Sequence, residues 1–226
     1  IPLSDTIDYP YGNRVTIHDQ LSSIDYTKLQ EAHDFAFDEP FEDKKRGTRA
    51  VLVIRGDSIL AEQYAAGFSK NTKHIGWSMT KSLVNAMIGI LVKDGLLNVQ
   101  QTQLFDVWND ERKNISIDDL LKMSSGLYFE EEYSKSSLAT QMLFNGYSVQ
   151  QIPLTQKAIE KPGQKWYYAS GSSNLLSALI QEKKGIHTFD TIYQRLIYKI
   201  GMNSMVIEPD ASGLWVGSSF SYATAR

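Results

Sequence analysis

The chain has 226 residues, 42% of them hydrophobic and 22% charged, with a formal net charge of -3 and no cysteine. These proportions belong to a globular protein and exclude collagen-like, coiled-coil and intrinsically disordered chains. Apart from Lys44-Lys45-Arg46 the basic residues are scattered, leaving no stripe for nucleic acid, and the lack of cysteine removes disulfides, thiol nucleophiles and thiolate metal sites.

Ser23 and Asp25 are candidate caps for a helix within 23–37, where Leu29, Ala32, His33 and Ala36 share one face. The apolar, β-branched runs on either side of Arg55-Gly56-Asp57-Ser58 predict the clearest β-hairpin in the chain. A lone two-stranded ribbon is marginal, yet no second hairpin is evident before Arg226.

Residues 76–95, GWSMTKSLVNAMIGILVKDG, predict a core helix closed by Gly95. Its apolar run, Leu83 to Val92, is interrupted by Asn85 and falls short of the about 20 residues that span a bilayer, so no transmembrane segment is expected. Ser116, with Asp119 three residues on, forms a capping-box-like start to a helix near 117–123, with Gly126 as its stop. The acidic run Glu130-Glu131-Glu132 reads as a solvated loop at a cleft rim. Pro162-Gly163 begins an aromatic loop that leads into an apolar helix near 173–182. Phe189, Ile192, Tyr193, Leu196 and Ile197 then align on the face of another. The last segment, SSFSYATAR, predicts the start of a further helix, with a serine cap and an alanine-rich entry. Because the chain stops there, it is expected to be part of a longer protein.

Ser78 and Lys81 carry the first chemical signal. At i and i+3 they share a helix face, and the positive end of the helix dipole favours an oxyanion or alkoxide at Ser78. Apolar surroundings desolvate the amine and favour the neutral form that can act as a base. A chain of this length carries about one Ser-x-x-Lys by chance, and a snorkelling Lys81 is the alternative. Tyr168, in the aromatic loop, can relay a proton, whereas Trp166 and Tyr167 suit packing or a pocket wall. His18, His33, His74 and His187 lack metal spacing, and no Gly-x-Ser-x-Gly elbow occurs, which disfavours zinc hydrolases and α/β-hydrolases. His74, four residues before Ser78, is a weaker candidate base. No metal or cofactor is expected.

Taken together, Ser78-Met79-Thr80-Lys81, SIDDLLKMSSGL, PGQKWYYAS followed by NLLSALI, and GSSFSYATAR resemble, in order and spacing, the serine β-lactamase-like and penicillin-binding-protein superfamily. That group includes class C β-lactamases, D-alanyl-D-alanine carboxypeptidases, related esterases and 6-aminohexanoate-dimer hydrolase. The resemblance spans about residues 48–226 and implies an α+β fold of β-lactamase/transpeptidase type: an antiparallel sheet flanked by helices, plus a mostly helical region. It implies a single domain over 1–226, with the first helix and hairpin in 1–70, the catalytic motifs in 71–226, and the C-terminal strands of the sheet missing.

By the same resemblance Ser78 is the acylated nucleophile, Lys81 its activating base and Tyr168 the tyrosine of a Tyr-x-Asn element, with Ser170, Trp77 and Tyr128 contacting substrate. Ser170 stands where class C β-lactamases carry Asn, which points away from penicillin hydrolysis and toward the amide- and ester-hydrolysing branch. The family's Lys-Thr-Gly-like strand, which supplies an oxyanion N–H beside that of Ser78, would lie beyond Arg226. Losing one such donor costs about 10²- to 10³-fold in rate, so this segment alone is expected to be poorly active. The expected function is hydrolysis of an amide or ester in a small molecule or peptide through an acyl-enzyme, with a complementary C-terminal segment as a further partner. The alternative is a non-hydrolytic, penicillin-sensor-like or scaffold module of the same fold. A periplasmic or exported location is favoured over a cytoplasmic one.

Overall fold

The computed structural model describes residues 6–9, 12, 14, 21–56 and 58–226; His18 and Asp57 lie outside them. Helices and short strands alternate in an α+β arrangement that divides into two units. One unit takes the described residues up to His74 with 201–205 and 223–226, and the other takes 75–200 with 206–222.

In the first unit, Asp25 rather than Ser23 caps helix α1 (Tyr26–Phe37), accepting the Lys28 N–H at 3.1 Å. Ser23 instead accepts a hydrogen bond from Arg55. Of the predicted face His33 is buried, Leu29 and Ala36 are half-buried and Ala32 is exposed. The end of α1 is held from the following loop: Arg46 donates to the carbonyls of Phe35 and Asp38 and stacks over the Phe35 ring, and Thr48 donates to Ala36. Strands β1 (Ala50–Arg55) and β2 (Ser58–Tyr64) form the predicted antiparallel hairpin, with a register shift between Val53 and Ile54. Arg226 forms a bidentate pair with Glu62 on β2, both side chains being largely shielded from solvent.

The second unit is organised on helix α6 (Ser170–Lys184), longer than the predicted 173–182. Four earlier helices pack on it: α2 (Thr80–Lys93), α3 (Ile117–Leu121), α4 (Leu138–Phe144) and α5 (Gln151–Thr155). Helix α7 (Thr188–Ile192) does so as well, continuing as a π-turn that buries Leu196 and Ile197. On α2 the buried set Leu83, Val84, Met87, Ile88 and Leu91 recurs at helical spacing, which makes its inner face apolar beyond Thr80. Each such side chain contributes about 1.5–3 kcal/mol on burial. A second cluster gathers Phe129, Met142, Leu143, Val149, Leu214 and Val216.

Gly95 closes α2 as predicted, through a Schellman motif in which its N–H reaches Val92 and that of Leu96 reaches Leu91. The capping box of α3 forms too, Ser116 and Asp119 exchanging side-chain and backbone bonds. Gly126 does not stop that helix. The same pair of closing bonds runs from Met123 to Leu120 and from Ser124 to Asp119, with Met123 itself at φ 57°. Gly126 serves a later close approach, since a Cβ there would lie 2.1 Å from the Glu160 carbonyl oxygen.

The ending SSFSYATAR is not a helix. Val216 accepts from Ser219 and Phe220 to make a turn, and Ser221–Ala223 then form a strand. This small sheet runs in the order β3 (His74–Ile75), β5 (Ser221–Ala223), β4 (Val206–Ile207), with Val206 opposite Tyr222 and Ile207 opposite Ser221. A second antiparallel pair therefore follows the hairpin, where none was expected. Tyr222 facing the β-branched Val206 across it favours a ladder, and the two alanines, Ala223 and Ala225, are too few to repay helix nucleation.

Gly95 and Gly126 share a left-handed backbone, at φ 72° and 74°, but differ in surroundings. Open space surrounds Gly95, so Gly95→Ala costs about 1–2 kcal/mol of unfolding free energy from backbone strain alone. Gly126→Ala adds the clash with Glu160 and costs more; urea denaturation of both variants checks the order.

Candidate active site

Ser78 lies in a tight 3₁₀ turn, Trp77–Met79, that runs directly into α2. Trp77 takes φ 43°, a left-handed value unusual for a bulky side chain, and this sharp entry leaves Ser78 exposed. The turn is fastened to β5: Gly76 N–H donates to the Ser221 carbonyl at 2.6 Å, and the Thr80 and Ser221 hydroxyls meet at 2.7 Å in a buried contact.

Lys81 occupies the first turn of α2, which brings it back over Ser78. Its Nζ lies 3.1 Å from Ser78 Oγ, 3.0 Å from Ser170 Oγ and 2.9 Å from the Ser218 carbonyl oxygen. Tyr168 completes the group, its hydroxyl 2.7 Å from Ser78 Oγ and its ring centroid 5.0 Å from Lys81 Nζ. The cluster joins three remote stretches of chain: the start of α2, the start of α6 and the turn before β5. An exposed serine hydroxyl thus faces an amine and a phenol within proton-transfer distance.

A further layer fixes these contacts. Ala169 begins α6 with extended backbone and no side-chain cap. The Glu131 carboxylate fills that role, accepting the Ser170 N–H at 2.7 Å and the Ser170 hydroxyl at 2.5 Å. Tyr133 donates to the same carboxylate at 2.5 Å. Burial, then the bond to Glu131, pushes the Tyr133 phenol up to about 12, so it remains a donor at neutral pH. Asn174, one turn along α6 and fully buried, accepts the Ser218 N–H at 3.0 Å and so sets the carbonyl that holds Lys81.

Of the predicted residues, Ser78, Lys81, Tyr168 and Ser170 come together. Trp77 adjoins them, half exposed and edge-on to Phe220 at 6.2 Å. Tyr128 does not join: it lines a separate apolar cleft of about 130 Å³ with Phe129, Ile159 and Tyr167. Trp166 stays largely exposed, tilted against Tyr168. His74 stacks on Phe68, and its buried Nε2 has no hydrogen-bond partner. The acidic run departs from the solvated-loop expectation at its centre. Glu130 pairs with Lys135 and Glu132 accepts from the N–H groups of Tyr133 and Ser134, but Glu131 turns onto Ser170. Glu131, Tyr133, Asn174 and the Ser218 carbonyl were absent from the sequence-based set.

A β-lactamase family profile matches residues 34–215. Over 54 residues, 24% of this chain and 14% of the relative, the sequence is 41% identical to 6-aminohexanoate-dimer hydrolase of Paenarthrobacter ureafaciens. Among solved structures it is similar to a Bacillus anthracis protein provisionally assigned as a 6-aminohexanoate-dimer hydrolase. The TM-score is 0.71 at 19% identity, covering 88% of this chain and 54% of that one. It is also similar to D-amino acid amidase from Ochrobactrum anthropi, with a TM-score of 0.60 at 16% identity, covering 77% and 61%. Likeness at these identities establishes the α+β fold alone, and the chain spans little more than half the length of these solved relatives. Among the described residues no helix is long and apolar enough to cross a membrane.

Asn174→Ala removes the acceptor of a buried N–H and is expected to cost about 1–3 kcal/mol of stability by thermal or urea unfolding.

Proposed function

Since the chain belongs to the β-lactamase family, we propose that it is a serine hydrolase that opens an amide or ester bond through a covalent acyl-enzyme. The observation that carries this reading is the convergence of Lys81 Nζ and Tyr168 Oη on one exposed hydroxyl, Ser78 Oγ. The names of three relatives, two of them 6-aminohexanoate-dimer hydrolases and one a D-amino acid amidase, support an amide-cleaving site. Ser170, in place of the class C asparagine, points the same way.

In the proposed reaction Ser78 Oγ attacks the substrate carbonyl carbon as its proton passes to the Lys81 lone pair. The oxyanion that forms is met by the Ser78 N–H at the positive end of α2. Collapse breaks the bond to the leaving amine or alcohol, which takes a proton through Tyr168. Water then attacks the acyl carbon and gives a proton to the Lys81–Tyr168 pair; the bond to Ser78 Oγ breaks, the pair returns that proton to Oγ, and the carboxylic acid leaves. Trp77, half exposed beside the nucleophile, forms part of the substrate wall.

A fluorophosphonate or a nitrophenyl ester should add its group to Ser78, as read by mass spectrometry of the digested protein, and Ser78→Ala should abolish the adduct. Lys81→Ala and Tyr168→Phe should each slow acylation by about 10²- to 10⁴-fold, the usual range for a lost proton-transfer group. Labelling on another residue, or labelling untouched by Ser78→Ala, contradicts the assignment. A burst of nitrophenol followed by steady release marks a hydrolase, whereas a single burst marks the non-hydrolytic module.

A further inference from the structure

Resting on that reading, we propose that Glu131 is a positioning residue: it fixes the direction of the Ser170 hydroxyl so that the free valence of Lys81 can point only at Ser78. The case rests on counting protons around Lys81. Its Nζ has three oxygen neighbours, at 2.9–3.1 Å. The Ser218 carbonyl can only accept. Ser170 Oγ carries one proton, and at 2.5 Å from a Glu131 carboxylate oxygen that proton is committed. Tyr133 is committed as well, because it donates to the same carboxylate at 2.5 Å and stands 3.4 Å from Ser170 Oγ. Toward Lys81, therefore, Ser170 can only accept.

A neutral lysine amine has two N–H bonds and one lone pair. With Ser218 and Ser170 both obligate acceptors, the two N–H bonds are used and the lone pair is left to Ser78 Oγ, the oxygen whose proton it must receive. Without the carboxylate, Ser170 is free to turn its own proton onto the lone pair. The amine is then satisfied by Ser170, and Ser78 loses its base. An asparagine at this position needs no such partner, since its carbonyl oxygen accepts and cannot donate. Glu131 does for Ser170 what amide chemistry would do by itself.

The test is a pair of substitutions read by the rate of Ser78 acylation with a fluorophosphonate, each variant also measured for its thermal midpoint. Glu131→Gln in the wild-type background should slow acylation by about 10- to 100-fold, below the loss of the base itself. In a Ser170→Asn background the same substitution should change the rate by less than about twofold, because coupled residues are non-additive. If Ser170→Asn lowers the thermal midpoint, Ser170→Ala replaces it, with the same twofold limit. An equal penalty in both backgrounds means Glu131 acts only as a cap of α6 and overturns the proposal, as does a Glu131→Gln protein that acylates like wild type. Wild type that fails to label at Ser78 refutes the hydrolase reading itself, a separate result.

Discussion

One nitrogen ties this site together. Lys81 Nζ is held by oxygens from residues 78, 170 and 218, which lie in the turn before α2, the first turn of α6 and the turn before β5. Hydrogen bonds to a lysine head group are worth about 1.5–3 kcal/mol each only if the partners are already in place. The three segments must therefore be positioned independently of the lysine. The capping carboxylate of Glu131, the buried Thr80–Ser221 contact and the buried Asn174–Ser218 bond each do this for one of them.

Helix α6 is the frame on which those positions depend. Its first five residues, Ser170-Gly171-Ser172-Ser173-Asn174, are all buried although all are small or polar. Small side chains let neighbouring elements approach closely, and polar ones supply hydrogen bonds that an apolar helix start would leave unmade. The apolar anchoring comes a turn later, with Leu175, Leu176, Leu179 and Ile180 in the core. Chemistry thus occupies the end of the helix and stability its middle, so substitutions in the middle act on the site through position rather than contact.

How much of this was legible follows from the range of each interaction. Ser78 and Lys81 obey a local i,i+3 rule, and the caps at Asp25, Gly95 and Ser116 obey rules spanning a few residues; all of these form. Tyr168 and Ser170 became legible through their order with the other motifs. Glu131 reaches Ser170 across 39 positions with no periodic signal, and the acidic triplet around it looks like any solvated loop. The Ser218 carbonyl is backbone, which every residue type offers equally. Strands of two or three residues, such as β4 and β5, are too short for alternation to show, so a serine followed by alanines was free to pass for a helix start. At the end of α3, Met123 accepts a strained φ because the closing bonds to Asp119 and Leu120 must form there, three residues before the nearest glycine.

The carboxylate beside the lysine raises the question of why the two do not pair directly. The hydrogen bonds around Glu131 answer it. The carboxylate already receives the Ser170 N–H, the Ser170 hydroxyl and the Tyr133 hydroxyl. Its charge is satisfied by neutral donors, one of them at a helix N-terminus, and needs no direct ion pair with Lys81. Between the two charges stands a serine hydroxyl that accepts from Lys81 in either protonation state. In the reaction proposed above, a proton leaving Lys81 therefore strands no charge on the half-buried Glu131. The same three bonds hold before and after the transfer, and only the bond between Lys81 and Ser78 reverses its direction.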